Sequence, residues 1–190
     1  MKVGVLALQG AFREQREVCE ALGATVTEVR VPEHLDACEA LIIPGGESTT
    51  MARLLRTSGL HDPLAARLHD GLPVLGTCAG LILCATTILD GLPGQESFGV
   101  LDVTVRRNGY GRQQESFECV LDLEGAPGFP GVFIRAPVVE AVGPGVAVLA
   151  EHGGTPVLVR DGVRFGATFH PELAGDPRLH EQFLHAARAA

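Results

Sequence analysis

The chain has 190 residues, 46% of them hydrophobic, and a net charge of -8 with no basic block to offset it. That length predicts one well-buried domain over 1–190 rather than two, and the acidic balance argues against a nucleic-acid groove or an anionic membrane surface as partner. Five cysteines, an odd number at irregular spacing, argue against a disulfide framework and for a reducing compartment, with the cytoplasm as the expected location.

The opening apolar run, 1–8, is too short for a signal peptide, and no later run approaches the length of a membrane span. Lys2 to Leu8 instead reads as the buried first strand of a parallel sheet, ended by Gln9-Gly10 at the sheet's carboxyl edge. Ala11 to Leu22 predicts a helix with Ala11, Val18 and Leu22 inward and Gly23 as its stop. Gln15 falls within the apolar stripe, and its chemistry favours a place at the helix margin. Thr25 to Val31 is a β-branched second strand stopped by Pro32, and Ala40 to Ile43 a third.

The third strand runs into Pro44-Gly45-Gly46-Glu47-Ser48, at the edge where open α/β sheets bind ligands. Paired glycines let backbone N–H groups face a ligand, and Ser48 is suited to cap the following helix through Leu55. Glu47 and the lack of a lysine make this a poor phosphate loop. A helix around Leu60 to His69 then precedes an apolar strand, Pro73-Val74-Leu75-Gly76, which enters Thr77-Cys78-Ala79-Gly80.

A cysteine flanked two residues either side by glycine, between strand and helix, has the form of a nucleophile elbow with sulfur in place of oxygen. The turn strains the reactive residue and pushes it out at the strand's carboxyl end. The helix starting at Ala79 aims its free N–H groups at the sulfur and at any oxyanion formed there. Alone, the motif also fits a buried cysteine in a glycine-rich turn, so it needs partners.

Beyond about Thr86 the chain becomes β-rich. Phe98–Arg107, Ser116–Leu123, Val132–Arg135, Val146–Glu151, Thr155–Arg160 and Val163–Thr168 predict antiparallel strands extending or capping the sheet, and Pro177 to Ala189 a terminal helix. The fold class is therefore α/β, a three-layer arrangement with an open, mostly parallel central sheet, helices on both faces and antiparallel edge strands. Of seven histidines, His170 stands apart, since it follows a strand directly and precedes Pro171-Glu172. The proline holds His170 extended, so imidazole and carboxylate can project to one side, Glu172 orienting the ring toward Cys78. His180 and His185 lie five apart on the terminal helix, on different faces, which disfavours a metal site. Cys84 reads as core, and Cys19, Cys38 and Cys119 as small apolar residues.

With these residues in place, the chain resembles the class I (triad) glutamine amidotransferases, through Pro44-Gly45-Gly46, Gly76-Thr77-Cys78-Ala79-Gly80 and His170-Pro171-Glu172. Within them it is similar to the glutaminase subunits of the two-component pyridoxal 5'-phosphate synthase. That narrower likeness rests on Leu6-Ala7-Leu8-Gln9-Gly10-Ala11, Gly45 to Thr50, Arg107 to Gln113, Ser116-Phe117-Glu118 and Phe133 to Pro137. The resemblance implies a flavodoxin-like fold and hydrolysis of L-glutamine to L-glutamate and ammonia without cofactor or metal. It assigns attack to Cys78, proton transfer to His170, orientation of that ring to Glu172, and the oxyanion hole to the N–H groups of Gly46 and Ala79. It further assigns glutamine binding to Gly46, Glu47, Ser48, Arg106, Ile134 and Arg135. Ammonia would pass to a barrel-shaped synthase subunit in a large hetero-oligomer, with Gln9-Gly10 near the activating contact. One departure stands out: the family pattern has a histidine where this chain has Gln15, which bears on partner contact.

Overall fold

A computed structural model describes residues 1–92, 95–107, 109 and 116–190. Strands and helices alternate through the first half: β1 (Lys2–Leu6), α1 (Phe12–Ala21), β2 (Thr25–Val29), β3 (Ala40–Ile43), α2 (Ser48–Thr57), α3 (His61–His69), β4 (Val74–Thr77) and α4 (Ala79–Cys84). The second half is mostly strand: β5 (Ala85–Ile88), β6 (Leu101–Arg106), β7 (Ser116–Leu123), β8 (Ala126–Ile134), β9 (Val138–Val142), β10 (Ala147–His152), β11 (Thr155–Asp161) and β12 (Arg164–Ala167), before the closing α5 (Arg178–Arg188).

Among the described residues the main sheet has seven strands in the order β10-β11-β12-β4-β3-β1-β2. The run from β12 to β2 is parallel, and β11 and β10 extend it antiparallel. Alternate side chains of each inner strand enter opposite cores. Leu41, Ile43 and Val74 pack with α2, α3, α4 and the small sheet, whereas Ala40, Ile42 and Leu75 pack with Cys19 of α1, Phe183 of α5 and the β7–β8 ribbon. The result is a mixed α/β fold with a mostly parallel central sheet covered on both faces.

Some strands differ from the sequence reading. Among the described residues only β10 and β11 extend the main sheet antiparallel; β5, β6 and β9 form a separate three-stranded sheet, and β7 with β8 a two-stranded ribbon. β8 begins six residues before the expected Val132 because Pro127 and Pro130 are tolerated there, each strand of a two-stranded ribbon keeping an outer edge where no ladder donor is needed. Thr86 and Thr87 leave the helix after Cys84 for β5, in keeping with their branched side chains. No described helix is long and apolar enough to cross a membrane.

Glycine sets the spacing of the sheet and α4. A Cβ on Gly80 would lie 1.9 Å from the Ile43 carbonyl oxygen, and one on Gly76 2.7 Å from the Gly80 carbonyl group. Both obstacles are backbone, which cannot rotate aside. Gly80→Ala is therefore expected to cost about 3 kcal/mol, the upper range for overpacking, read as a lowered urea midpoint with an unchanged slope.

Candidate active site

The carboxyl ends of β12, β4, β3 and β1 lie side by side, and the order in which strands are added switches sides between β1 and β3, the position where such sheets open a crevice. Each strand delivers a loop to it. From β4 comes Cys78, whose φ of 49° is the left-handed region that a side chain rarely adopts. Its backbone N–H donates to Ala167 of β12 at 2.8 Å, and its Sγ sits 3.9 Å from the Ile134 carbonyl oxygen.

β12 delivers His170 and Glu172. The His170 N–H donates to Val132 of β8 at 2.8 Å, and Pro171 then starts a 3-10 turn, Pro171–Leu173, that carries Glu172 back beneath the ring. His170 Nδ1 donates to Glu172 Oε1 at 2.7 Å, with the carboxylate side chain fully buried. The ring lies flat on the β3 loop: a Cβ on Gly45 would be 2.3 Å from His170 Cε1. Burial works against a charge on His170, but its interactions with Cys78 and with the Glu172 carboxylate outweigh that and raise its pKa to about 10. A ring that keeps its proton beside a sulfur can hand that proton to a departing amine.

The β1 and β3 loops are locked together. Gln9 Oε1 accepts from the Glu47 N–H at 2.8 Å, and the Ala11 N–H donates to the Gly45 carbonyl at 3.0 Å. Gly10, at φ 95°, has room for nothing larger, since a Cβ would meet the Gly45 oxygen at 1.9 Å. Glu47, rather than the expected Ser48, caps α2: its carboxylate accepts from the Thr49 and Thr50 N–H groups at 3.0 and 2.7 Å. Burial opposes its charge, but the bonds from Thr50 and Thr49 prevail and lower its pKa to about 2. Ser48 is buried and its Oγ accepts from Gln95 Nε2 at 2.9 Å.

These loops enclose a cavity of about 390 Å³ lined by Gln9, Gly46, Glu47, Ser48, Cys78, Ala79, Arg107, Ile134, Arg135 and His170, among others. Arg106, assigned to glutamine binding by resemblance, is not among them. It points outward and pairs with Glu140 at 2.7 Å, because alternation along β6 turns it to the exposed face. Arg107 takes the inward place: its N–H donates to Asp90 at 2.7 Å and its Nη2 reaches Glu47 at 3.3 Å. Arg135 stands at the rim with φ 44°. The remainder of the Arg107 to Gln113 motif, 108 and 110–113, lies outside the described residues apart from Gly109. No group of three metal-ligating side chains occurs among the described residues.

Two members of the site were missed by the sequence reading. Gln15 is fully buried rather than at the helix margin, and it touches the Glu172 carboxylate rather than a partner-facing surface: its Nε2 donates to Glu172 Oε2 at 2.7 Å and to Thr77 Oγ1 at 3.2 Å. His180, also fully buried, meets Gln15 Oε1 through Nε2 at 2.8 Å. A polar residue in an apolar helical stripe was the available signal in both cases.

The two buried histidines pull stability in opposite directions. Burial lowers the His180 pKa from its ordinary 6.5 to about 4, so between those values the unfolded chain takes a proton that the folded one refuses, and stability falls as pH falls. His170 contributes stability that is full below about 6.5 and is lost as pH rises through about 10. Urea midpoints measured from pH 4 to 10 are expected to decline at both ends, and His180→Phe to flatten the decline between 6.5 and 4 alone.

Comparison with known proteins agrees with this architecture. The model of the SNO glutamine amidotransferase family matches residues 5–188. Pyridoxal 5'-phosphate synthase subunit PdxT of Streptomyces avermitilis is 52% identical over 189 residues, covering 98% of this chain and 94% of the relative. The protein of the same name from Thermus thermophilus is 53% identical over 186 residues, covering 97% of each. A solved structure described as a glutamine amidotransferase superposes with a TM-score of 0.92 at 53% identity, over 98% of both chains. With the family model spanning nearly its whole length, the chain belongs to the SNO glutamine amidotransferase family.

Proposed function

We propose that the chain, acting as one domain over 1–190, is the glutaminase subunit of a pyridoxal 5'-phosphate synthase. The observation that carries the reading is that Cys78 and His170 line one cavity with Arg107, while Glu172, buried behind the ring, bonds to His170 at 2.7 Å. Cys78 Sγ attacks the side-chain amide carbon of L-glutamine, and the oxygen, gaining negative charge, is met by the N–H groups of Gly46 and Ala79. His170 passes its proton to the departing nitrogen, which leaves as ammonia and a glutamyl thioester remains. Water, deprotonated by His170, attacks the thioester and releases glutamate and the sulfur. Glu172 keeps the ring in the tautomer and orientation that both steps use.

A free amino acid also presents a carboxylate and an ammonium. Arg107 and Arg135 supply cations for the first, Glu47 a carboxylate for the second, and Ser48 and Ile134 complete the wall. The names of the PdxT relatives support a synthase partner, and the family resemblance implies that it is a barrel-shaped subunit in a large hetero-oligomer that takes the ammonia before water protonates it. Gln9 and Gly10 are suited to couple docking to the oxyanion loop, because they bond to Glu47 and pack on Gly45. A biosynthetic role of this kind fits the cytoplasm.

Two experiments test the reading. A glutamine-analogue electrophile is expected to modify Cys78, with glutamine protecting, and Cys78→Ala to lower hydrolysis by roughly a thousandfold or more while partner binding persists. Modification indifferent to glutamine, or turnover by Cys78→Ala near the wild-type rate, overturns it. In steady-state kinetics Arg107→Ala is expected to raise KM for glutamine by about tenfold or more, whereas Arg106→Ala stays within about twofold.

A further inference from the structure

Behind the Cys78–His170–Glu172 group lies a line of buried polar side chains that the reaction above does not use. Glu172 has two carboxylate oxygens, both out of solvent. Oε1 accepts from His170, and Oε2 accepts from Gln15 at 2.7 Å. The second hydrogen of the same amide goes to Thr77, the residue immediately before the nucleophile. Gln15 Oε1 faces His180 Nε2 at 2.8 Å. Every polar atom of the Gln15 side chain is therefore engaged, and each bond fixes the next.

The donor and acceptor roles follow from the chemistry. A carboxylate at 2.7 Å demands the amide's NH2 group, which leaves the amide oxygen toward His180. His180 must then donate from Nε2, and burial keeps the ring neutral, with its pKa lowered to about 4. Nδ1 in consequence carries a lone pair that is buried with no partner among the described residues. An orphaned buried acceptor is destabilising, because it has given up its bond to water and gained none in return. A leucine at 180 would avoid that cost in a helix face whose neighbours are Leu179, Phe183 and Leu184. The polar residue is kept at the expense of stability, which points to a task for its other nitrogen.

We infer that Gln15 and His180 are positioning residues: Gln15 fixes the Glu172 carboxylate relative to Thr77 and the Cys78 elbow, and His180 fixes the orientation of the Gln15 amide. This rests on the glutaminase reading for its consequence in turnover. A carboxylate bonded through one oxygen alone is free to twist about its terminal torsion and present either oxygen, or neither, to His170. Gln15 removes that freedom. Being a neutral donor, it does so without competing with the imidazolium for the carboxylate's charge, as an arginine or lysine in its place would.

The test uses the full chain and the near-isosteric Gln15→Met, together with His180→Phe and the double variant, each checked for folding by circular dichroism. Two quantities are read: the rate of Cys78 alkylation by iodoacetamide from pH 5 to 9, and kcat and KM for glutamine. Gln15→Met is expected to slow alkylation at neutral pH and to lower kcat by roughly 10–100-fold with KM within about twofold, the range seen when outer partners of a ligand are lost. His180→Phe is expected to give a smaller loss of the same kind. The double variant should be no worse than Gln15→Met alone, because the two act in series. Wild-type alkylation and kcat in folded Gln15→Met overturn the inference, as do losses that multiply in the double variant. If Gln15→Met does not fold, the wild-type protein decides: Gln15 side-chain amide protons are expected to exchange with solvent at least a hundredfold more slowly than those of a free amide, and exchange at the free rate overturns it. Failure of the wild-type chain to hydrolyse glutamine defeats the glutaminase reading instead, while alkylation, which involves no glutamine, still judges the positioning role.

Discussion

Parallel pairing of β4 with β12 is the constraint on which the site depends. Gly166 stands opposite Gly76 and Ala167 opposite Thr77, so the two strands finish level and their exits are neighbours. Cys78 leaves one and His170 the other, though 92 residues separate them along the chain. The bond from the Cys78 N–H to the Ala167 carbonyl continues that pairing one residue past the strand and holds the elbow against the partner exit. β3, on the opposite flank of β4, brings the Gly45-Gly46 loop over the same point. Three adjacent strands thus bring the Cys78 thiol, the His170 ring and the Gly45-Gly46 backbone together.

Close approach makes the arrangement tight, and glycine permits the approach. His170 rests on Gly45, α4 passes the Ile43 carbonyl at Gly80, and Gly10 tucks against Gly45. These contacts are backbone to backbone or ring to backbone, so they cannot relax by a rotamer change. The strained torsion at Cys78 persists because the hydrogen bond before it and the packing of α4 after it leave no alternative.

Much of this was legible in the amino-acid sequence. Strand and helix alternation up to Cys78, with glycines flanking the cysteine, announces a parallel sheet and an elbow, and His170-Pro171-Glu172 announces a ring with its carboxylate. What could not be read there was set by tertiary context. β7 and β8 look like further sheet strands, and only the burial of Phe129 and Phe133 against Phe169 and α5 makes them a separate ribbon. The choice between Arg106 and Arg107 turns on a single residue, since Arg106 ends β6 on its exposed face and Arg107, just past the strand, turns to the cavity. Gln15 and His180 are 165 residues apart, and single residues at that distance carry no pattern that pairs them.

The two histidines at the ends of the buried line differ sharply in their hold on a proton: His170 releases it only near pH 10, His180 accepts one only near pH 4. Throughout the intervening range the ring beside the sulfur is the charged one and the ring behind it is not. A proton held at His170 thus finds no acceptor in the ring at the far end of the line. The five side chains from Cys78 to His180 accordingly form a strut rather than a wire: they transmit position to the sulfur, and a proton gained or lost at His170 is not handed on to His180.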